Sequence, residues 1–188
     1  RRDASVVDIF WGPGFAGIAL VAFAVSEGPL ARRALVTALA LIWGLRLGGY
    51  LLWRNWGKPE DFRYQAMRRH WGDRFAIVSL FTVFALQGSL MWIVSLPLQL
   101  AQVSPTPEAL GVFDALGAGL WLVGMFFETV GDAQLARFKA DPANAGRVMD
   151  RGLWRHTRHP HSFGDFCVCW GLHLVALAAG ARRSIVGP

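Results

Sequence analysis

Five apolar runs decide most of what this chain can become: Ala4–Val25, Ala34–Trp53, Phe75–Leu100, Leu110–Val130 and Phe163–Ala179. Each is about 17–26 residues, long enough as an α-helix to cross the roughly 30 Å of a bilayer's hydrocarbon. Lipid offers no hydrogen-bond partner, so a spanning segment must satisfy its own backbone, as a helix does. The expected fold is therefore all-α, a multi-pass transmembrane helical bundle of at least five spans forming one membrane domain over residues 1–188. "SIVGP" at the end reads as the opening of a sixth span. Of the 188 residues, 54% are hydrophobic and 17% charged, against about 25% charged in a soluble domain. No nucleic-acid partner is expected. Arg1 and Arg2 stand directly before the first span, with no signal-peptide cleavage pattern. Cys167 and Cys169, at i and i+2 of a helix, diverge too far for a disulfide and read as free thiols.

The connections carry a sided charge pattern. Loop 54–74 contains six Arg or Lys, and loop 132–160 contains six more. The other two connections, "SEGPLARR" and "AQVSPTPEA", carry two and none. With five spans, both rich loops and the N-terminus fall on one side, which the positive-inside rule makes cytoplasmic. Arg32 and Arg33 lie on the opposite side, against that pattern.

Topology alone calls for a few Lys near the membrane. Here Arg dominates, interleaved with acids and aromatics, and its planar fork suits phosphate and carboxylate. Glu128, Asp132 and Lys139 follow a helical face, so the fourth span should continue out of the membrane until Pro142 ends it. Within the spans, Asp8 and Arg46 are charges that hydrocarbon penalises by at least about 2.5 kcal/mol unless they are paired or functional. Gln87 and His173 read as interhelical hydrogen-bonding groups.

Two motifs mislead. "GPGFAG" at 12–17 matches G-x-G-x-x-G by letter, yet a dinucleotide fingerprint needs a strand before it and an amphipathic helix after it. Here it lies inside a span, so its glycines are read as letting another element approach closely. "HTRHPH" resembles the histidine boxes of membrane di-iron enzymes, which need about eight histidines in several boxes. This chain has His70, His156, His159, His161 and His173. Pro160 also disfavours a regular helical ligand pair, and no metal is assigned.

"RFKADPANAGRVMDRGLWRHTRHPHSFGD" before an apolar span resembles the C-terminal domain of the steroid 5-alpha-reductase family, most closely its bacterial branch of unknown function. "FETVGDAQLARFK", "RNWGKPEDFRYQAMRR" and "DASVVDIFWGPGF" fit the same branch, so the resemblance runs over nearly the whole chain. The short R-H-P-x-x-x-G core also resembles isoprenylcysteine carboxyl methyltransferases. The main resemblance implies a reductase of a bacterial inner membrane. It would take hydride from NADPH and deliver it to a carbon–carbon double bond conjugated to a ketone, as in 3-oxo-Δ4 steroids. Its apolar substrate would enter from the bilayer, among membrane lipids.

By motif, the resemblance puts Asp132, Lys139, Arg147, His161 and Asp165 at cofactor positions, with Arg137, Arg155 and His159 nearby. Arg46, Tyr50 and Arg54 in "RLGGYLLWR" give a second basic contribution, and Asp8 falls at the catalytic acid. The usual "RHPNYFGE" is "RHPHSFGD" here, and the tyrosine expected in the second span is Trp43. The resemblance also implies a last helix and polar tail that help close the cofactor site. NADPH carries about four phosphate charges, which several Arg or Lys would neutralise. S-adenosylmethionine, the cofactor of the methyltransferase alternative, has a single carboxylate and suits such a surface less well. A non-catalytic membrane scaffold is the remaining alternative.

Overall fold

The computed structural model describes residue 4 and residues 6–105, 107 and 109–180. The sixth span expected at "SIVGP" lies outside the described residues, as does the Arg1-Arg2 pair. Within them the chain is helical, without strands, and five helices are long and apolar enough to cross a membrane. These are α1 (Val6–Val25), α2 (Leu30–Asn55), α3 (Phe62–Val94), α5 (Val112–Ala140) and α6 (Pro160–Ala178). The short α4 (Leu96–Val103) lies between α3 and α5. The protein is thus a multi-pass, all-α membrane bundle.

Two boundaries differ from the sequence reading. Most of the expected loop 54–74 is helix, because α3 begins at Phe62. Asp61 caps it, its side chain accepting the Arg63 backbone N–H at 2.9 Å. The Arg63 side chain donates to the same carboxyl and holds Asp61 below the usual carboxylate range. At its other end the third span stops at Val94 and not at 100. Pro97 sits in the first turn of α4 and has no N–H to continue the α3 ladder. The chain turns at Ser95, and α4 runs back against α1, α2 and α6. α5 continues as one helix beyond the apolar run and ends at Ala140, just before Pro142.

Glycines set the two tightest helix pairs. A Cβ on Gly12 would sit 2.1 Å from the Gly44 carbonyl oxygen, so the "GPGFAG" stretch is where α1 meets α2. Between α5 and α6, Gly117, Gly124 and Gly131 face Gly171, Gly164 and Pro160. A Cβ on Gly124 would lie 2.6 Å from the Gly164 carbonyl oxygen. The seven-residue spacing in both helices puts these glycines on one seam, where small residues let backbones touch. Trp43, Trp121, Phe15, Val168 and Leu172 fill the core beside them. The opposite faces, including Phe81, Phe84, Trp92 and Ile93 of α3, are exposed and suited to lipid.

Arg32 is not a stray topology charge. It is fully buried and forks onto Asp114 at the foot of α5, with Nε to Oδ1 at 3.1 Å and NH2 to Oδ2 at 3.2 Å. Its guanidinium also donates to the carbonyls of Pro107 and Ala109. This clamp closes the end of the bundle opposite the two Arg-rich connections.

Candidate active site

The Arg-rich end is built by the C-terminus of α2, the protruding end of α5, the start of α6 and segment 141–159. That segment is irregular apart from two short 3-10 turns, Pro142–Asn144 and Gly152–Arg155. It is nonetheless tied to α5 at three points. Gln134 accepts the Leu153 N–H at 2.9 Å, the Trp154 indole donates to the Gly131 carbonyl at 3.0 Å, and the Asn144 amide donates to the Phe138 carbonyl at 3.0 Å.

An outer groove results, made of two adjoining cavities of about 260 and 880 Å3 that share Leu135, Lys139, Trp154 and His159. Five cations line it: Arg54, Lys58, Lys139, Arg147 and Arg158. Two acids, Asp132 and Asp141, face them. His161 and Tyr50 complete the inner wall, and the Tyr50 ring lies under the Arg46 and Arg54 guanidiniums.

Deeper in the bundle is a second space of about 350 Å3. Its walls are Trp11, Phe15, Trp43, Leu47, Leu51 and Val94, and its polar groups are Asp8, Asp165 and Cys169. A side cavity of about 480 Å3 shares the lining residues Arg54 and Lys58 with the groove and Asp8 with the inner cavity. Asp8 therefore borders both the side cavity and the inner cavity. Tyr64 of α3 donates to its carboxyl at 3.2 Å, and Arg63 lies 3.5 Å away. Gln87 donates to the Tyr64 oxygen at 3.5 Å and itself accepts from the Trp11 indole.

Between groove and inner cavity runs a charged layer. Arg46 reaches from α2 to α5, with NH1 2.7 Å from Glu128 Oε2 and NH2 2.5 Å from Asp132 Oδ2. The Trp43 indole donates to the other Glu128 oxygen at 3.1 Å. His161 Nδ1 lies 3.4 Å from Asp132 Oδ1. Gly164 packs directly against Glu128, and Asp165 follows it in the chain. Glu128 and Asp132 are buried, whereas Asp165 is open to the inner cavity.

The structure thus gathers Tyr50, Arg54, Asp132, Lys139, Arg147, His159 and His161 on the groove, and Asp8 and Asp165 on the inner cavity. Arg46, grouped in the sequence with the cofactor arginines, commits both terminal nitrogens to carboxyls. Arg137 and Arg155 are exposed and line none of these spaces. Arg137 follows Asp132 by five positions, which turns it to another face of α5.

Sequence reasoning missed Glu128, Lys58 and Tyr64 as site residues. Glu128 had a signal, four residues before Asp132 on one helix face. Tyr64 had none while residues 54–74 read as loop. Among the described residues, no group of three or more His, Cys, Asp or Glu is arranged to hold a metal ion.

No curated protein and no solved structure matches the chain. One family does, over residues 1–188, and the chain belongs to it: DUF1295, described as a protein of unknown function.

Proposed function

We propose that this protein is a membrane-embedded reductase that uses NADPH to saturate a carbon–carbon double bond conjugated to a ketone in a steroid or similar lipid. One observation carries the reading: a groove with five cations lies near an apolar, aromatic-walled cavity, and a side cavity bordered by Arg54, Lys58 and Asp8 shares residues with both. A ligand with a polyanionic body and a flat, uncharged reactive end has the same division of polarity. Lys139, Arg147 and Arg158 would hold phosphates at the outer part of the groove, with Arg54 and Lys58 on the side cavity that Asp8 also lines. The reduced nicotinamide supplies hydride. The residues of the chain do the rest. Trp11, Phe15 and Trp43 exclude water, and Asp8, held by Tyr64, is the carboxyl that, in its acid form, would hydrogen-bond the substrate carbonyl and draw electron density from the double bond. The steroid 5-alpha-reductase resemblance agrees with these roles. By the positive-inside rule the groove faces the cytoplasm, in the inner membrane of a bacterium.

A methyltransferase reading has one feature in its favour. Carboxyls and aromatic rings around the inner cavity would also receive a sulfonium. The groove favours NADPH, because S-adenosylmethionine brings one carboxylate to five cations.

The test is ligand titration of detergent-purified protein, with NADPH followed by its own fluorescence and S-adenosylmethionine by calorimetry. Saturable NADPH binding, with oxidation on adding a 3-oxo-Δ4 steroid, is expected. Binding of S-adenosylmethionine alone would establish the methyltransferase reading, and binding of neither would leave a scaffold.

A further inference from the structure

α3 is folded, not straight. Its first part, Phe62–Trp71, ends at Gly72, whose φ of +49° suits glycine and breaks the helix before Phe75. A straight helix would hold Tyr64 and Gln87 about 35 Å apart, yet the Gln87 amide donates to the Tyr64 oxygen at 3.5 Å. The short first part therefore lies back along the apolar part that follows. It is pinned there by one stripe, Tyr64, Met67 and Arg68, spaced i, i+3 and i+4. Tyr64 and Met67 pack with Ala4, Val7, Phe75 and Val83. The Arg68 guanidinium stands over the Phe75 ring at 4.2 Å and donates to Glu60 at 2.9 Å, and Glu60 also accepts the Ala4 N–H at 2.8 Å.

With that stripe turned inward, the outer side of the bend faces away from the bundle. Arg69 and Arg74, on either side of Gly72, are exposed and make no ion pair among the described residues. The acids Glu60 and Asp61 are taken by Arg68 and Arg63, which leaves Asp73 as the acid beside the two cations. Phe62 and Trp71 stand near them, 75% and 42% exposed. Ile77 and Phe81 follow Arg74 at i+3 and i+7, on its own face of the helix, and both are exposed. Ile77 is only about 4.5 Å further along the axis than Arg74. In a spanning helix such side chains meet hydrocarbon, so the cations at the bend stand where acyl chains end and headgroups begin. Exposed aromatics favour the same depth. A soluble acidic protein would match the charge, but it would not cover Ile77 and Phe81, which carry the same surface on into the bilayer.

We infer that the Gly72 bend holds the phosphate of an anionic phospholipid, with Arg69 and Arg74 on the phosphate oxygens and Phe62 and Trp71 at the level of the glycerol. The planar fork of Arg suits a phosphate. None of these four residues lines the groove, the side cavity or the inner cavity, so the inference stands apart from the reductase reading.

Native mass spectrometry of the detergent-purified chain, titrated with phosphatidylglycerol or with phosphatidylcholine of the same acyl chains, tests the site. Phosphatidylglycerol should bind saturably and at least about tenfold more tightly. Arg69→Gln combined with Arg74→Gln should abolish that preference, and each single variant should lose part of it. Arg137→Gln, which removes an exposed cation at the same end of the bundle, should keep it. Unchanged melting midpoints in phosphatidylcholine nanodiscs would show that the variants fold. Equal affinity of the wild type for the two lipids overturns the proposal. So does a preference that survives the double variant, or one that falls as far in Arg137→Gln. Excess inorganic phosphate should not displace the lipid, and displacement would make the bend a site for a free anion. Polyglutamate bound through Arg69 and Arg74, with no preference between the lipids, would overturn the lipid and assign the bend to an acidic protein.

Discussion

Replacing Arg46 by Met keeps the length of the side chain and removes the charge that joins α2 to α5. The guanidinium makes contacts of 2.7 and 2.5 Å to Glu128 and Asp132, which are 1% and 5% exposed. Removing one partner of a buried pair costs about 3–5 kcal/mol, mostly by stranding the opposite charge. Two carboxyls are stranded here, but either can take up a proton, so the same range is used for the site as a whole. In a chain of this size about 1 kcal/mol moves a melting midpoint by roughly 2–4 °C, so Arg46→Met should melt about 6–20 °C lower. Arg46→Lys should fall between, because one ammonium cannot fork onto two carboxyls one helical turn apart. Adding Asp132→Asn to Arg46→Met should recover part of the loss, with a coupling of about 0.5–3 kcal/mol. The assay is thermal unfolding in detergent followed by tryptophan fluorescence, with Trp43 hydrogen-bonded to Glu128 as a nearby reporter. A midpoint within about 4 °C of wild type, together with strict additivity in the double variant, would refute the argument that Arg46 neutralises this layer.

Gly124→Leu should prevent α5 and α6 from closing, since its Cβ would meet the Gly164 carbonyl oxygen at 2.6 Å, while Gly119→Leu, with nothing within 4 Å, should be tolerated; size-exclusion profiles of the two variants check this. Arg147→Ala should weaken NADPH binding at least about tenfold, about 1.4 kcal/mol, with ligand-free stability unchanged; an unaltered titration would make the segment a topology signal only. Asp8→Asn keeps shape but has no carboxyl proton to give, so turnover should fall with cofactor affinity kept, and equal activity would make Asp8 structural. Washing active protein with a strong chelator should leave NADPH-dependent turnover intact, and elemental analysis showing stoichiometric iron or zinc, lost together with activity, would contradict the organic-cofactor reading.

What was readable from the sequence was read by length and period. Runs of about twenty apolar residues can do little but span, because hydrocarbon leaves the backbone no other partner. The extension of α5 to Pro142 followed from helical spacing and a residue that cannot continue a ladder. Several candidate positions, among them Tyr50, Arg54, Lys139 and His159, gather on one groove because they sit at the same end of their helices, and the order of spans fixes the ends. The seven-residue glycine spacing of α5 and α6 went unread in the sequence, and nothing local told which segment was partner to which.

Only the tertiary structure decided how the charges pair. Arg32 read as a misplaced topology signal, yet it is the buried clamp on Asp114, and Arg46 read as part of a second basic contribution to the cofactor site, while both ends of its fork lie on Glu128 and Asp132. Tyr64 reaches Asp8 across 56 positions, and Trp43 reaches Glu128 across 85. Such pairings depend on helix rotation and on how closely two backbones approach, which in this chain is set at Gly12, Gly44, Gly124 and Gly164. A sequence shows which residues share a face of one helix. Which face meets which neighbour follows from packing all the helices at once, since each contact is satisfied only when the others are made.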